Sequence, residues 1–387
     1  MRSRRLIALI VTAILVVGGI YIAAPYVRAA SLFVRAANLG GRVEALADAT
    51  AQPITVLPGH VVPTRQGEVP AQFYRPAGTV RRATLLVPGV HSMGIAEPRL
   101  TALAGDLAGS GIAVMTIELP DLMGYQITAR SADVLEDAVA WIAAQPDLAP
   151  DGRVGMVGIS FAGGLSIVAA GRPAIRDKVA YVVSLGGHGD LGRVLRYLTT
   201  GEVVQAPGVV THPPHDYGVA VILHAGADHV VPPEQVTPLR EGIGTFLLAS
   251  QLTLVNTDKA NALFQTARDL VKLLPEPSAT YLTYVNDRNV KALGPILLPH
   301  IGLETDPAAS PERAPLPPAA PVFLLHGDDD TVIPAAESVV LGEYLNRKGV
   351  DVRVLLSQII THAELDRSAA ASESWKLIAF WADVLRR

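Results

Sequence analysis

A serine, a carboxylate and a histidine, each just past an apolar run, fall in the order Ser160, Asp330, His362. Ser160 sits in Gly158-Ile159-Ser160-Phe161-Ala162-Gly163-Gly164, after Val154–Val157 and before Leu165–Ala170. The pattern predicts a buried strand, a tight turn of small residues and a helix. A serine on such a turn takes a strained backbone conformation that presents its hydroxyl outward, and its neighbours two residues away must be small. Gly158 meets that demand, and Ala162 meets it less well than glycine would. Asp330 ends the run Phe323–His326-Gly327-Asp328-Asp329-Asp330 and precedes Val332-Ile333-Pro334. His362 follows the expected strand 351–356. Serine is a poor nucleophile at its ordinary pKa. An imidazole can take its proton while a carboxylate fixes the ring's tautomer and stabilises its charged form. Of the three aspartates, two read as solvated turn residues. Two backbone donors must also face the developing oxyanion. The Phe161 N–H supplies one, and the loop Pro88-Gly89-Val90-His91 supplies the other through Val90. His91 either lines the acyl pocket or braces its loop.

A second run, Val221–His224-Ala225-Gly226-Ala227-Asp228-His229-Val230-Val231-Pro232, imitates the acidic motif and ranks behind Asp330. His212, His215, Asp228 and His229 raise a metal reading. No ligand pair has helical i, i+4 spacing with a catalytic glutamate, so no metal and no cofactor is expected.

The elements that must position these groups alternate strand and helix. Strands are expected at 69–74, 83–87, 112–118, 153–159, 179–185, 322–326 and 351–356, and helices at 98–109, 131–145, 162–171, 335–348 and 368–385. The short continuous apolar strands suit a parallel sheet covered on both faces by helices. Between 187 and 321 the alternation breaks into helix-like runs and a proline-rich exit, a stretch too long for one loop. The expected organisation is an anchor at 1–25, a juxtamembrane segment at 26–60 with a helix over 29–49, a core at 61–187, a cap or lid at 188–320 and the rest of the core at 321–387.

These motifs resemble the α/β-hydrolase superfamily, nearest to its dienelactone-hydrolase-like and esterase-like branches. The resemblance covers residues 65–187 and 320–387. It implies an α/β fold with a mostly parallel sheet, Ser160 as nucleophile, Asp330 as acid and His362 as base. Pro88 stands where many relatives carry a histidine, and Ala162 replaces a glycine. The activity implied is hydrolysis of a small-molecule carboxylic ester. A peptidase or acyltransferase with the same triad, a non-catalytic envelope scaffold, and a metal-dependent hydrolase are the alternatives.

The chain of 387 residues is half apolar and 18% charged, with net charge −4 and no cysteine. Disulfides, thiol catalysis and cysteine-held metals are thereby excluded. No basic patch with interleaved aromatics suggests nucleic acid. Met1-Arg2-Ser3-Arg4-Arg5 precedes Leu6–Ala24, an uncharged run of 19 residues. As a helix it extends about 28 Å, near the hydrocarbon thickness of a bilayer. Its length favours an uncleaved transmembrane anchor over a cleaved signal sequence. The remainder is expected outside the cytoplasmic membrane. Oligomeric state is not legible.

Overall fold

The computed structural model describes residues 2–205, 208–253, 255–304, 306–361, 364–365 and 371–387; for 2–17, 20, 303–304, 361, 364–365 and 371–372 it describes the backbone alone. Its centre is an eight-stranded sheet. The strands are β1 (Ile54–Thr64), β2 (Gly67–Pro76), β3 (Ala83–Val87), β4 (Ala113–Ile117), β5 (Val154–Ile159), β6 (Val179–Leu185), β9 (Val322–Gly327) and β10 (Val352–Ser357). Two hairpins lie apart: β7 (Glu202–Gln205) with β8 (Gly208–Thr211), and β11 (Ile360–Thr361) with β12 (Glu364–Leu365). The spatial order is β1-β2-β4-β3-β5-β6-β9-β10. Strands from β4 to β10 pair in parallel, and β1 and β2 pair antiparallel. A mostly parallel sheet flanked by helices fits the α/β-hydrolase arrangement.

The chain opens with α1 (Arg2–Ala36) and α2 (Gly41–Thr50). Helices α3 (Pro98–Gly109), α4 (Pro120–Met123), α5 (Ala129–Ala143) and α6 (Phe161–Ala170) follow the first strands, and α15 (Ala336–Arg347) and α16 (Ala371–Val384) follow the last. β3 and β4 are buried along their whole lengths. Leu86, Val114, Val157, Val183 and Phe323 fill one face with Leu107 and Phe380; Leu85, Met115 and Met156 fill the other with Leu135 and Leu165. That division is the period-two alternation of a strand covered on both sides.

The expected single helix over 29–49 is two helices. They break at Ala37–Gly40, where Asn38 and Gly40 take positive φ (47° and 76°). β1 was not anticipated. Pro58, Gly59 and Pro63 punctuate it, most of its residues are exposed, and its register slips between Leu57 and His60. Prolines are tolerated there because the strand lies at the sheet edge.

Among the described residues, no helix is long and apolar enough to cross a membrane. Side chains of residues 2–17, most of the expected anchor, lie outside that description. The second half of α1 is docked on the body. Ala29 and Leu32 are buried, Tyr26 stacks on Trp375 at 5.6 Å, and Arg35 bonds the Asp106 carboxylate (3.0 Å), the Asp106 carbonyl (2.8 Å) and Ser110 Oγ (3.0 Å). A cation at the carboxyl end of α3 also meets the negative end of the helix dipole.

Between β6 and β9 lies the helical insertion: α7 (Leu191–Thr200), α8 (Asp216–Ala225), α9 (Ala227–Val230), α10 (Pro233–Leu252), α11 (Thr257–Leu270), α12 (Ser278–Asn286), α13 (Val290–Leu297) and α14 (Ile301–Glu304). One buried charge cluster ties both its stems to α15. The Glu337 carboxylate accepts the N–H groups of Gly189 (2.9 Å) and Asp190 (3.1 Å) and pairs with Arg193. Arg193 also reaches Glu312 (2.6 Å), and Asp190 pairs with Arg313 (2.7 Å). Burial opposes ionisation of Asp190, yet the Arg193 N–H and the two guanidiniums hold its carboxyl below the ordinary value. Removing one partner of a buried pair strands the other charge. Glu337→Ala should therefore lower the free energy of unfolding by about 3 kcal/mol. Arg347→Ala, which breaks an exposed i, i+4 pair with Glu343, should change it by less than about 0.5 kcal/mol. Urea denaturation of the two variants checks the contrast.

Candidate active site

Ser160 joins β5 to α6 with φ 55° and ψ −134°, a conformation L-residues rarely hold. Its N–H donates to Leu185 O (2.7 Å), and its carbonyl accepts from Gly163 N (2.8 Å). A Cβ at position 158 would lie 2.3 Å from Ala162 O and 2.7 Å from Ser166 Oγ, so glycine is obligatory there. Ala162 itself fits, fully buried. The methyl that departs from the resembled pattern costs this turn nothing visible, because the crowded position is 158.

The loop after β3 passes close by. A Cβ on Gly89 would stand 3.2 Å from Ser160 Cβ. Val90 and His91 line the cavity with Ser160 and Phe161. Phe161 is the first residue of α6, and first-turn amides have no acceptor within the helix. His91 is buried, its Nδ1 accepts from Met93 N (3.2 Å), and it borders the cavity, so it both braces the loop and lines the site. Burial depresses its pKa, with Glu97 opposing and Arg99 adding to the effect, which keeps the ring neutral.

A hydrogen-bonded bridge joins this loop to the cap. Gln251, at the end of α10, accepts from Ser92 Oγ (2.9 Å) and Tyr125 Oη (3.5 Å) and donates to Tyr217 Oη (3.3 Å). Tyr217 in turn donates to Val90 O (3.4 Å). Burial pushes the pKa of Tyr217 up, with Tyr125 adding to it, so the phenol remains a donor.

Asp330 is buried on the turn after β9, whereas Asp328 and Asp329 are exposed. Its Oδ1 accepts from Val332 N (2.8 Å) and Ile333 N (3.0 Å). Its Oδ2 lies 3.3 Å from Nε2 of His326, a fully buried ring. Ser338 Oγ meets His326 Nδ1 (2.7 Å), and Ile333 O meets Nε2 (2.8 Å). Those partners assign the ring proton to Nε2. Tyr197 Oη and His215 N both donate to Thr331 O (3.0 and 2.8 Å), so the cap braces the turn. Burial, then the nearby Asp330 charge, push the Tyr197 pKa up to about 12. Ser160 and Asp330 each make a further interaction, and both line one cavity. His362 lies outside the described residues; its neighbour Thr361 pairs with Glu364 across the short hairpin β11–β12.

Asp228 is on the surface, half exposed and paired with Arg240 (2.8 Å). His215 caps α8 by accepting from Tyr217 N (3.2 Å). His229 stacks on His300 at 6.1 Å. Among the described residues, no three His, Asp or Glu side chains group closely enough to hold a metal ion. His326, Tyr197, Tyr217, Gln251 and His188 were not singled out from sequence. Only His326 carried a signal, four residues before Asp330 in His-Gly-Asp-Asp-Asp.

No family model and no curated protein matches the chain. Among solved structures it is similar to an esterase of the archaeon Pyrobaculum calidifontis, at 16% identity over 93% of this chain and 90% of that one, with a TM-score of 0.47. It is also similar to carboxyl esterase 2 of the mycorrhizal fungus Tuber melanosporum, at 15% over 87% and 86%, TM-score 0.45. The acylaminoacyl peptidase of Pyrococcus horikoshii is similar at 12% over 90% and 44%, TM-score 0.44.

Behind the turn, His188 packs on α6 with its ring 5.5 Å from that of Phe161 and donates from Nε2 to Ala309 O (2.9 Å). Burial lowers its pKa to about 4. The folded pKa is below the unfolded value of about 6.5, so its stabilising contribution is complete above about pH 6.5 and declines as pH falls toward 4. Between pH 7 and 5 this ring should cost about 2 kcal/mol of stability. Urea denaturation at the two pH values should show that decrease, and His188→Asn should remove it.

Proposed function

We propose that the chain is a serine hydrolase that cleaves carboxylic esters through an acyl-Ser160 intermediate. The observation that carries this reading is the positive-φ backbone of Ser160 at the carboxyl end of β5, beside the close-packed Gly89-Val90 loop. Ligands of open α/β sheets bind at that edge of the strands.

In the proposed reaction Ser160 Oγ bonds to the ester carbonyl carbon as its proton passes to the imidazole of His362. Charge on the carbonyl oxygen meets the N–H groups of Val90 and Phe161. The tetrahedral species collapses by breaking the bond to the alkoxy oxygen, which takes the proton from His362. Water then adds to the acyl group by the same route and restores the serine. Asp330, its Oδ1 held by two backbone N–H groups, orients the imidazole and stabilises its cationic form. No step asks for a metal or cofactor, and the partner is a small-molecule ester.

We also place the protein on the extracytoplasmic side of the membrane, anchored by the apolar run 6–24. Tyr21 and Ile22, at the end of that run, are exposed, which suits a helix continuing into lipid.

Ser160→Ala should abolish hydrolysis of p-nitrophenyl butyrate and labelling by a fluorophosphonate probe, with the circular dichroism of the parent kept. Retained turnover would remove Ser160 from the mechanism. A parent chain that neither labels nor hydrolyses would point to a non-catalytic scaffold. Released acid, against acyl product formed with added amine or alcohol, separates hydrolysis from acyl transfer. Gln251 acts as a positioning residue, holding Val90 through Tyr217. The oxyanion donors matter most in the transition state. Gln251→Leu should lower kcat about tenfold, the cost of one to two hydrogen bonds, and leave KM within about twofold.

A further inference from the structure

We infer that the cavity beside Ser160 is an acyl-chain channel, and that the site takes esters of long, unbranched acyl groups. This rests on the reading of Ser160 as the acylated nucleophile and adds the substrate class. The cavity measures about 1170 Å³, above the range of about 300–1,000 Å³ usual for small-molecule pockets. An acetyl or butyryl group would leave most of it empty.

Its course follows α3. Lining residues run from Val90 and His91, past Leu100, Leu103 and Gly105, to Gly109. Helix α3 has 12 residues, so this wall is about 18 Å long. Leu32 and Phe33 of α1 and Leu377 and Trp381 of α16 also line the cavity. The polar end, near Glu44, Asp48 and Gln52, lies at the corner between α1 and α2. Along the α3 wall, Glu97 pairs with Arg99 (2.8 Å) and Asp106 with Arg35 (3.0 Å). A peptide laid along the apolar part of this wall, Leu32, Leu100, Leu103 and Leu377, would meet few hydrogen-bond partners for its amides. A hydrocarbon chain makes no such demand and gains from each methylene removed from water.

Gly105 offers a place to test the channel. A Cβ there meets only Ile54 Cδ1, at 3.7 Å, and replacing a mid-helix glycine favours the helix. The full-length chain in detergent is assayed on p-nitrophenyl esters from acetate to palmitate. For the parent, kcat/KM should rise up to about fourfold per methylene over the shorter esters (about 0.8 kcal/mol each), giving at least a hundredfold from acetate to laurate. Gly105→Phe should reduce the laurate-to-acetate ratio at least tenfold, and the smaller Gly105→Leu should reduce it less. Long-chain glyceryl esters in phosphatidylcholine vesicles, run beside the soluble esters, distinguish a bilayer source from a free one; turnover of either with the same sensitivity to Gly105→Phe supports the channel. A parent profile that is flat or falls beyond butyrate, with turnover still dependent on Ser160, overturns the channel and leaves the hydrolase reading standing. An unchanged ratio in both variants does the same. Absence of Ser160-dependent turnover at every chain length defeats the hydrolase reading itself.

Discussion

The site depends on a backbone held where L-residues are disfavoured. Ser160 at φ 55° costs on the order of 1–3 kcal/mol, and the surroundings over-determine it. The Ser160 N–H is committed to Leu185 O and its carbonyl to Gly163 N, which fixes the peptides on both sides. Gly158 has no room for a side chain, because Ala162 O and Ser166 Oγ occupy the space. Behind α6, the His188 ring stands where a Cβ on Gly164 would fall, 2.4 Å from its Cε1. The helix cannot relax backward without displacing a buried imidazole. The strain is therefore set by packing on three sides, and the hydroxyl is directed to the cavity as a consequence.

Asp330 lines the same cavity as Ser160 because the parallel strands end at one edge of the sheet. The turn bearing Asp330 follows β9 as the turn bearing Ser160 follows β5, and these strands are separated only by β6. The insertion then serves as more than a roof. Tyr197 and His215 bond Thr331 O beside Asp330, while Gln251 and Tyr217 reach Val90 and Ser92. The Asp330 turn and the Val90 loop are thus braced by the same body, whose stems are clamped by Glu337 and Arg193. Displacing that body would disturb both at once, although neither loop belongs to it.

Much of this was legible in the residue order. The short apolar runs at 83–87 and 179–185 coincide with strands end for end, because a strand buried on both faces has few polar positions to blur its limits. Ser160 was legible from small residues around it, and Asp330 from its place after an apolar run. The helix at 131–145 starts at Ala129, since Thr128 caps it by accepting from Arg130 N. The edge strand β1 was hidden because exposure removes alternation and its prolines read as loop. Gln251 and Tyr217 were hidden for a different reason. They act across 159 and 127 residues of chain, through contacts with Ser92 and Val90 that leave no local pattern.

The N-terminal helix carries a consequence for how substrate would approach. Its second half is not a tether trailing from the body but part of the wall, with Leu32 buried against the α3 side of the sheet. Arg35 fixes it at the carboxyl end of α3, through the Asp106 carboxylate and carbonyl and Ser110. A helix inserted in a bilayer at one end and docked here at the other restricts the body's orientation to the surface, with Pro25 between the two halves as the place where it can bend. With the run 6–24 as anchor, the corner between α1 and α2 stays within a helix length of the membrane, at about 1.5 Å per residue. Glu44 and Asp48, which line the other end of the cavity, lie on α2 just past that corner. The helix that lines the channel is thus the one that would hold its polar end near a surface from which apolar esters partition, and anchoring and substrate access become one geometric problem.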